Sequence, residues 1–374
     1  MKVAMIIQAY LPRFGGAEKL LAASLPYLRA RGVEPLVLTR RYPGMAPFEM
    51  IDGTLVYRLP APGPKVTASL CFTLSGVLRL RQICPDLIHA HELLSPSTTA
   101  VLAKRLIQKP VVVTLHRGGL LGDIYKLNHR IGGRTRIKMF QRQVDGLISI
   151  SREIDQELAD SGFLPQKRHF IPNGVDIQRF SIPSQMEKQA LREKFSMSAV
   201  APVFLYTGRL VPEKRVDLLL RIWQEIRPQT GGAQLWILGS GPEEESLRQM
   251  QAEGVHFTGY VEDPSPYLRA ADVFVLPSAT EGLSVAMLEA LASGLVCILT
   301  RVGGAADVVQ HNQNGLLVDP DSPAEMREAL LSVLQNTKLR VELGQAARQT
   351  IVEGYSLAGM ADHWVDLYRK VSKA

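Results

Sequence analysis

The chain has 374 residues, 46% hydrophobic and 21% charged. That balance excludes disorder, a coiled coil, collagen and a polytopic membrane protein, and the length suits two domains. The net charge of +7 hides an asymmetry, because residues 1–180 hold 25 Lys and Arg against 13 Asp and Glu (+12) and residues 181–374 hold 18 against 23 (−5). So basic a first half implies an anionic partner: a nucleic acid, a phosphorylated ligand or an acidic membrane surface. The longest uncharged apolar stretch, 66–78, is too short to span a bilayer. The N-terminal apolar run breaks at Gln8, too early for a signal peptide. Cys71, Cys84 and Cys297 share no CxxC spacing and are odd in number. A disulfide framework or zinc site is not expected, and a reducing cytosol is.

Taken in chain order, short β-branched runs predict strands over 3–7, 36–39, 55–59, 87–90, 111–115, 146–150 and 169–171. The pattern restarts with strands over 203–206, 235–238, 255–258, 273–276 and 296–300. Stretches with apolar residues three and four apart lie between several of them and predict helices. Near-continuous apolar strands suit parallel sheets covered on both faces. The expected architecture is α/β: two doubly wound, Rossmann-like domains facing a central cleft. The polar, proline-broken stretch 181–185 places the break, giving domains 1–180 and 181–355. Leu357, Met360, Trp364, Leu367 and Val371 form one apolar seam, so 356–374 is predicted to be a helix that docks.

Three segments carry chemistry. Gly15-Gly16-Ala17-Glu18 opens a helix soon after the first strand, where paired glycines and a helix N-terminus favour an anion, although the GxGxxG spacing is absent. Thr207-Gly208-Arg209 through Lys214-Arg215 places two cations after the first strand of the second half, as a diphosphate without a metal needs. Glu281-Gly282-Leu283-Ser284 leads into a helix predicted to begin near Ser284, with backbone amides of 282–284 aimed at an anion. Glu289, further along that helix, can accept two hydroxyl hydrogen bonds, the usual grip on a ribose diol. Asp319-Pro320-Asp321 spells a DxD metal sequence, but Pro320 and Ser322-Pro323 make it a turn and helix cap. His89 and His91, after another strand, are read as structural.

In order and spacing these segments resemble the retaining GT-B glycosyltransferases of family 4, also called glycosyltransferase group 1. The resemblance runs from Gly15-Gly16-Ala17-Glu18 through Thr114-Leu115-His116, Ile171-Pro172-Asn173-Gly174 and Gly208-Arg209-Leu210 to Gly239-Ser240-Gly241-Pro242. It continues through 281–289, Gly303-Gly304 and Asn314-Gly315-Leu316, covering nearly the whole chain. It implies that Arg209 and Lys214 bind the donor diphosphate, helped by Gly282, Leu283 and Ser284. Glu289 would hold the ribose, Glu281 a sugar hydroxyl, His116 the C6 side of the sugar, and Gly16 a place near the phosphates. His116, Arg209, Lys214 and Glu281 form the implied catalytic set, and Gly15, Arg117 and Asn173 the acceptor side. Arg117 stands where an acidic residue is common, which suits an anionic acceptor. By the same analogy 356–374 packs back on the first domain.

The implied reaction moves a sugar from a nucleotide diphosphate to an acceptor hydroxyl with retention of configuration. It uses no metal or other cofactor, and it belongs to cell-surface polysaccharide or glycolipid synthesis. A sugar-nucleotide epimerase or phosphorylase on the same fold is the alternative enzyme. A non-catalytic nucleotide- or nucleic-acid-binding module is the other, but the chain shows no recognisable nucleic-acid fold, so no nucleic-acid partner is expected. Between Asp123 and Asp145 stand six cations (Lys126, Arg130, Arg134, Arg136, Lys138, Arg142) and no acid. They are read either as a solvated face or as a dock for the anionic cytoplasmic leaflet, where a lipid-linked acceptor would be presented.

Overall fold

The computed structural model describes residues 1–12 and 15–373. The chain divides into two compact units, Met1–Asn173 with Leu357–Ala374, and Gly174–Ser356.

The first unit is built on eight strands: β1 (Lys2–Ile6), β2 (Glu34–Arg40), β3 (Phe48–Ile51), β4 (Thr54–Leu59), β5 (Leu87–His91), β6 (Val111–Leu115), β7 (Gly146–Ser149) and β8 (Arg168–Phe170). Their order is β3-β4-β2-β1-β5-β6-β7-β8. Every pairing is parallel except β3 with β4. β1, β5, β6 and β7 are buried almost throughout, as strands sandwiched between helices must be. Neither β3 nor its antiparallel pairing was anticipated. Asp52 and Gly53, at φ +47° and +73°, make the two-residue turn that Asp-Gly favours, and β3 is a short edge strand exposing Phe48 and Met50.

The helix Leu357–Lys373 belongs to this first unit and packs on the helix Gly16–Arg29. Leu357, Met360, Trp364 and Leu367 of the anticipated seam are buried, with Val365 and Tyr368 beside them. Arg31 holds Asp362 through two hydrogen bonds of 2.6 and 2.7 Å.

The second unit carries β9 (Val203–Thr207), β10 (Gln234–Leu238), β11 (Val255–Gly259), β12 (Val273–Leu276), β13 (Val296–Thr300) and β14 (Leu316–Val318). They form an all-parallel sheet in the order β11-β10-β9-β12-β13-β14. The three-residue β14 was not anticipated. The units divide after Asn173, not after Phe180 as the sequence suggested. Residues 174–180 belong to the second unit because Val175 donates its amide to Tyr355 O at 2.9 Å, and Arg348 binds the carbonyls of Ile177 and Phe180 at 2.9 and 2.6 Å. These contacts outweigh the local polar composition that marked the later break.

Candidate active site

Each sheet has one point where strand order reverses, and in open α/β sheets ligands bind outside the carboxyl ends of the strands there. In the second unit that point lies between β9 and β12. The loop after β9 carries Arg209 and Lys214, and the loop after β12 carries Glu281. The two segments singled out in the sequence therefore leave neighbouring strands at the place where the fold leaves a crevice.

Side chains tie these loops together. Lys214, ending the short 3-10 turn Pro212–Lys214, pairs with Glu281 Oε1. Ser278 donates to the same oxygen at 2.7 Å, and Ala279 donates its amide to Glu213 O at 2.8 Å. Only 16% of Lys214 and 13% of Glu281 is exposed, so the pair sits in a medium that strengthens its attraction. Arg209 is 52% exposed and lies 3.7 Å from Glu213, leaving its guanidinium accessible. Tyr206 donates to Arg209 O at 2.9 Å, fixing the backbone beneath it.

Ser284 caps the helix Val285–Ala292, its hydroxyl accepting from Met287 N at 3.3 Å. Gly282, Leu283 and Ser284 thus form the entry to that helix, and Glu289 projects from its second turn, partly exposed. Gly304 donates to Gly282 O at 2.6 Å. Gly303 sits at φ +55°, and any Cβ there would strike the carbonyls of Glu281 and Gly282. On the other side Gly239, at φ +149°, lies against Gly208 O, and Leu210 N bonds Ser240 O at 3.0 Å. The glycines at 239, 241 and 303 let these loops meet backbone to backbone.

The DxD sequence makes a turn: Asp321 N bonds Asp319 Oδ1 at 2.8 Å, and Ser322 caps the helix Pro323–Gln335. Among the described residues no group of three or more His, Cys, Asp or Glu is placed to hold a metal ion.

In the first unit the reversal lies between β1 and β5. Gly15 caps the helix Gly16–Arg29, its carbonyl accepting from Lys19 N at 3.1 Å, with Glu18 in the first turn. The loop residues Arg13 and Phe14 lie outside the described residues. Asn173 is buried at the end of the unit's first segment, and Arg117 is exposed after β6. Gly15, Gly16, His116, Arg117 and Asn173 belong to the first unit, and Arg209, Lys214, Glu281, Gly282, Leu283, Ser284 and Glu289 to the second.

The sequence reading missed what surrounds His116. β5 and β6 pair with His91 opposite Thr114, so the side chains of 89, 91, 114 and 116 share one face. His91 Nδ1 lies 3.0 Å from His116 Nε2, and His89 bonds Thr114 and Tyr368 at 2.7 Å each. The His89 and His91 rings stack at 4.4 Å, and those of His91 and His116 at 5.3 Å. Burial holds His89 down to about 3 and His116 down to about 4 and pushes His91 well below its usual value, with smaller contributions from the adjoining imidazoles at His89 and His91 and from Arg117 at His116. All three imidazoles are therefore neutral at neutral pH. Strand register thus sets His91 directly against the His116 ring.

Glu92 follows directly, at the carboxyl end of β5 and at φ +77°, a backbone a bulky residue adopts only under constraint. Burial, then Asp123 and Glu18, raises its carboxyl to about 7, against the opposing pull of Arg117 and Lys126. Asp123 is itself buried and accepts from Leu93 N at 2.6 Å. The signal available in the sequence was His91-Glu92 ending a strand.

Two family models match the chain, Glycosyltransferase Family 4 over residues 14–179 and Glycosyl transferases group 1 over residues 201–336. A glycosyltransferase of Methanocaldococcus jannaschii is 28% identical, with 99% of this chain and 98% of that protein aligned. The GDP-mannose-dependent monoacylated alpha-(1-6)-phosphatidylinositol monomannoside mannosyltransferase of Corynebacterium glutamicum is 26% identical over 98% of this chain and 97% of its own. Among solved structures, Anabaena HepE in complex with UDP-glucose superposes with a TM-score of 0.81 at 20% identity, covering both chains fully. The fold is that of the GT-B glycosyltransferases. The chain belongs to the group 1, family 4 glycosyltransferases, and its chemistry is glycosyl transfer.

Proposed function

We propose that the protein is a retaining, metal-independent hexosyltransferase. It takes a sugar from a nucleotide-diphosphate donor and places it on a hydroxyl of a lipid-linked acceptor in cell-surface glycolipid or polysaccharide synthesis. The observation that carries this reading is the position of Arg209 and the Lys214–Glu281 pair on loops leaving adjacent strands at the reversal point of the second sheet. As the donor bond breaks, negative charge grows on the β-phosphate. Arg209 and Lys214 offset that charge from fixed positions, and a preorganised donor of this kind contributes about 10²–10³ in rate. Glu281 orients Lys214 and meets a sugar hydroxyl, while Glu289 holds the ribose. The transferred sugar becomes oxocarbenium-like, the acceptor attacks from the face the phosphate leaves, and its proton passes to the departing phosphate oxygen.

The similarity to an enzyme named for GDP-mannose and a phosphatidylinositol mannoside supports a nucleotide sugar and a lipid-linked acceptor. The basic first unit supports a place on the inner face of the membrane. The test is incubation with a panel of nucleotide sugars, with and without a chelator. Slow release of nucleoside diphosphate from one donor, unaffected by the chelator, is the expected result. Loss of activity on chelation would overturn the metal-independent mechanism, and release from no donor the reading of the site.

A further inference from the structure

The helix Lys65–Ile83 is apolar on both faces. Its inner face buries Ala68, Phe72, Thr73, Gly76 and Leu80. On the opposite face Val66, Leu70, Leu74 and Leu78 are exposed by 81, 57, 55 and 60%. Their spacing of four places the side chains one above another, a ridge about 18 Å long at 1.5 Å per residue. Isolated exposed leucines are ordinary, but a contiguous row on one helix marks an interaction surface.

Charge decides the occupant. The helix carries Lys65, Arg79 and Arg81 and no acid. Arg79 lies over the Tyr57 ring, whereas Lys65 and Arg81 are exposed at the two ends of the ridge. A second copy docking by the same face about a two-fold axis would set cation against cation in either direction. An anionic surface suits both features, since it takes the leucines into its apolar layer and leaves the cations at its charged plane. The layer beside this helix is also basic. Lys65–Ile83 packs on Ser95–Ile107, which packs on Gly133–Gln143, where Arg134, Lys138 and Arg142 are exposed. Among the described residues no helix is long and apolar enough to cross a membrane, so the fitting geometry is a helix lying in the interface plane.

We infer that Val66, Leu70, Leu74 and Leu78 form a monotopic anchor that inserts into an anionic lipid bilayer surface, with the basic segment 123–145 adding attraction beside it. This rests on the membrane-facing reading above for the choice of occupant, and it is tested without donor or acceptor. Full-length protein is sedimented with phosphatidylcholine vesicles containing or lacking phosphatidylglycerol, at low and high salt. The triple variant Leu70→Gln, Leu74→Gln, Leu78→Gln alters only exposed side chains, and thermal unfolding confirms that it folds. Wild type should bind the anionic vesicles, and the triple variant should lose at least about thirtyfold in partitioning at both salt concentrations. Replacing Lys65 and Arg81 with Gln should weaken binding severalfold at low salt only, because screening already removes that attraction at high salt. Donor hydrolysis without vesicles should be unchanged in the triple variant, so failure of the anchor is distinguishable from failure of the glycosyl-transfer reading. Equal vesicle binding by wild type and triple variant would overturn the anchor. So would absence of wild-type binding, or a wild-type dimer in light scattering that the triple variant converts to monomer.

Discussion

His91 Nδ1 stands 3.0 Å from His116 Nε2, with the two rings stacked. One nitrogen of that pair must donate and the other accept, so the tautomer of His116 is tied to that of His91. His91→Phe keeps a stacked ring and removes the bond. A neutral hydrogen bond contributes about 1 kcal/mol, so turnover should fall several-fold with donor KM little changed. The imidazole ¹⁵N signals of His116 should shift toward a tautomer mixture. An unaltered His116 spectrum in the variant would remove the positioning role.

Lys214 and Glu281 are mutually dependent. Lys214→Ala removes the cation proposed to meet the donor phosphate and leaves a mostly buried carboxylate with only the Ser278 hydroxyl on its Oε1. Turnover should drop about 10²–10³, and stability should fall by about 1.5–3 kcal/mol. Adding Glu281→Gln should restore most of the stability and none of the rate. Urea unfolding and donor-hydrolysis assays on the single and double variants read the two effects separately.

Glu289→Ala tests the donor grip. A hydrogen bond to a charged group contributes about 1.5–3 kcal/mol, so nucleotide affinity measured by calorimetry should weaken ten- to a hundredfold while unfolding stays close to wild type. Undiminished affinity would remove Glu289 from the ribose site.

Glu92 should shape stability against pH. Its carboxyl is raised to about 7 in the folded protein and sits near 4.5 when unfolded. The native state therefore holds the proton more tightly, and this stabilisation is full below pH 4.5 and lost as pH rises through 7. Glu92→Gln removes that term, so the difference between wild-type and variant unfolding free energies should change in the variant's favour from pH 5 to 8. A constant difference across this range would mean that the carboxyl titrates normally.

Gly239→Ala should be costly although it removes no side chain. The new methyl would press into Gly208 O at a φ that L-residues rarely adopt, displacing the loop that carries Arg209. Thermal unfolding should show a loss of about 2 kcal/mol or more, accompanied by weaker donor binding. The same substitution at Gly232, which has a positive φ but only the Ala201 methyl 3.9 Å from a new Cβ, separates backbone strain from collision.

Most of the fold was legible because buried parallel strands read as unbroken apolar runs. β1, β6, β9 and β13 are of this kind. β3 was not, since Phe-Glu-Met-Ile is short and exposed, although Asp52-Gly53 signalled its turn. The break after Asn173 was obscured because Arg348 and Tyr355, distant in sequence, decide to which unit residues 174–180 belong. Of the site, Arg209, Lys214, Glu281 and the capping Ser284 were visible as local motifs. His91 and Glu92 were not, because strand register places His91 beside His116, and the backbone at the end of β5 together with its surroundings gives Glu92 its character.

The last helix has a consequence for how the molecule is made. During synthesis from the N-terminus, residues 174–356 are all available before 357–373 emerge, so the second unit can complete its core first. The first unit, begun earlier, waits with the pocket for Trp364 and Tyr368 unfilled and His89 lacking the hydroxyl it bonds. The half of the protein translated first is therefore completed only by the segment translated last, and a released chain ending at residue 356 would carry the whole second unit and a first unit still open.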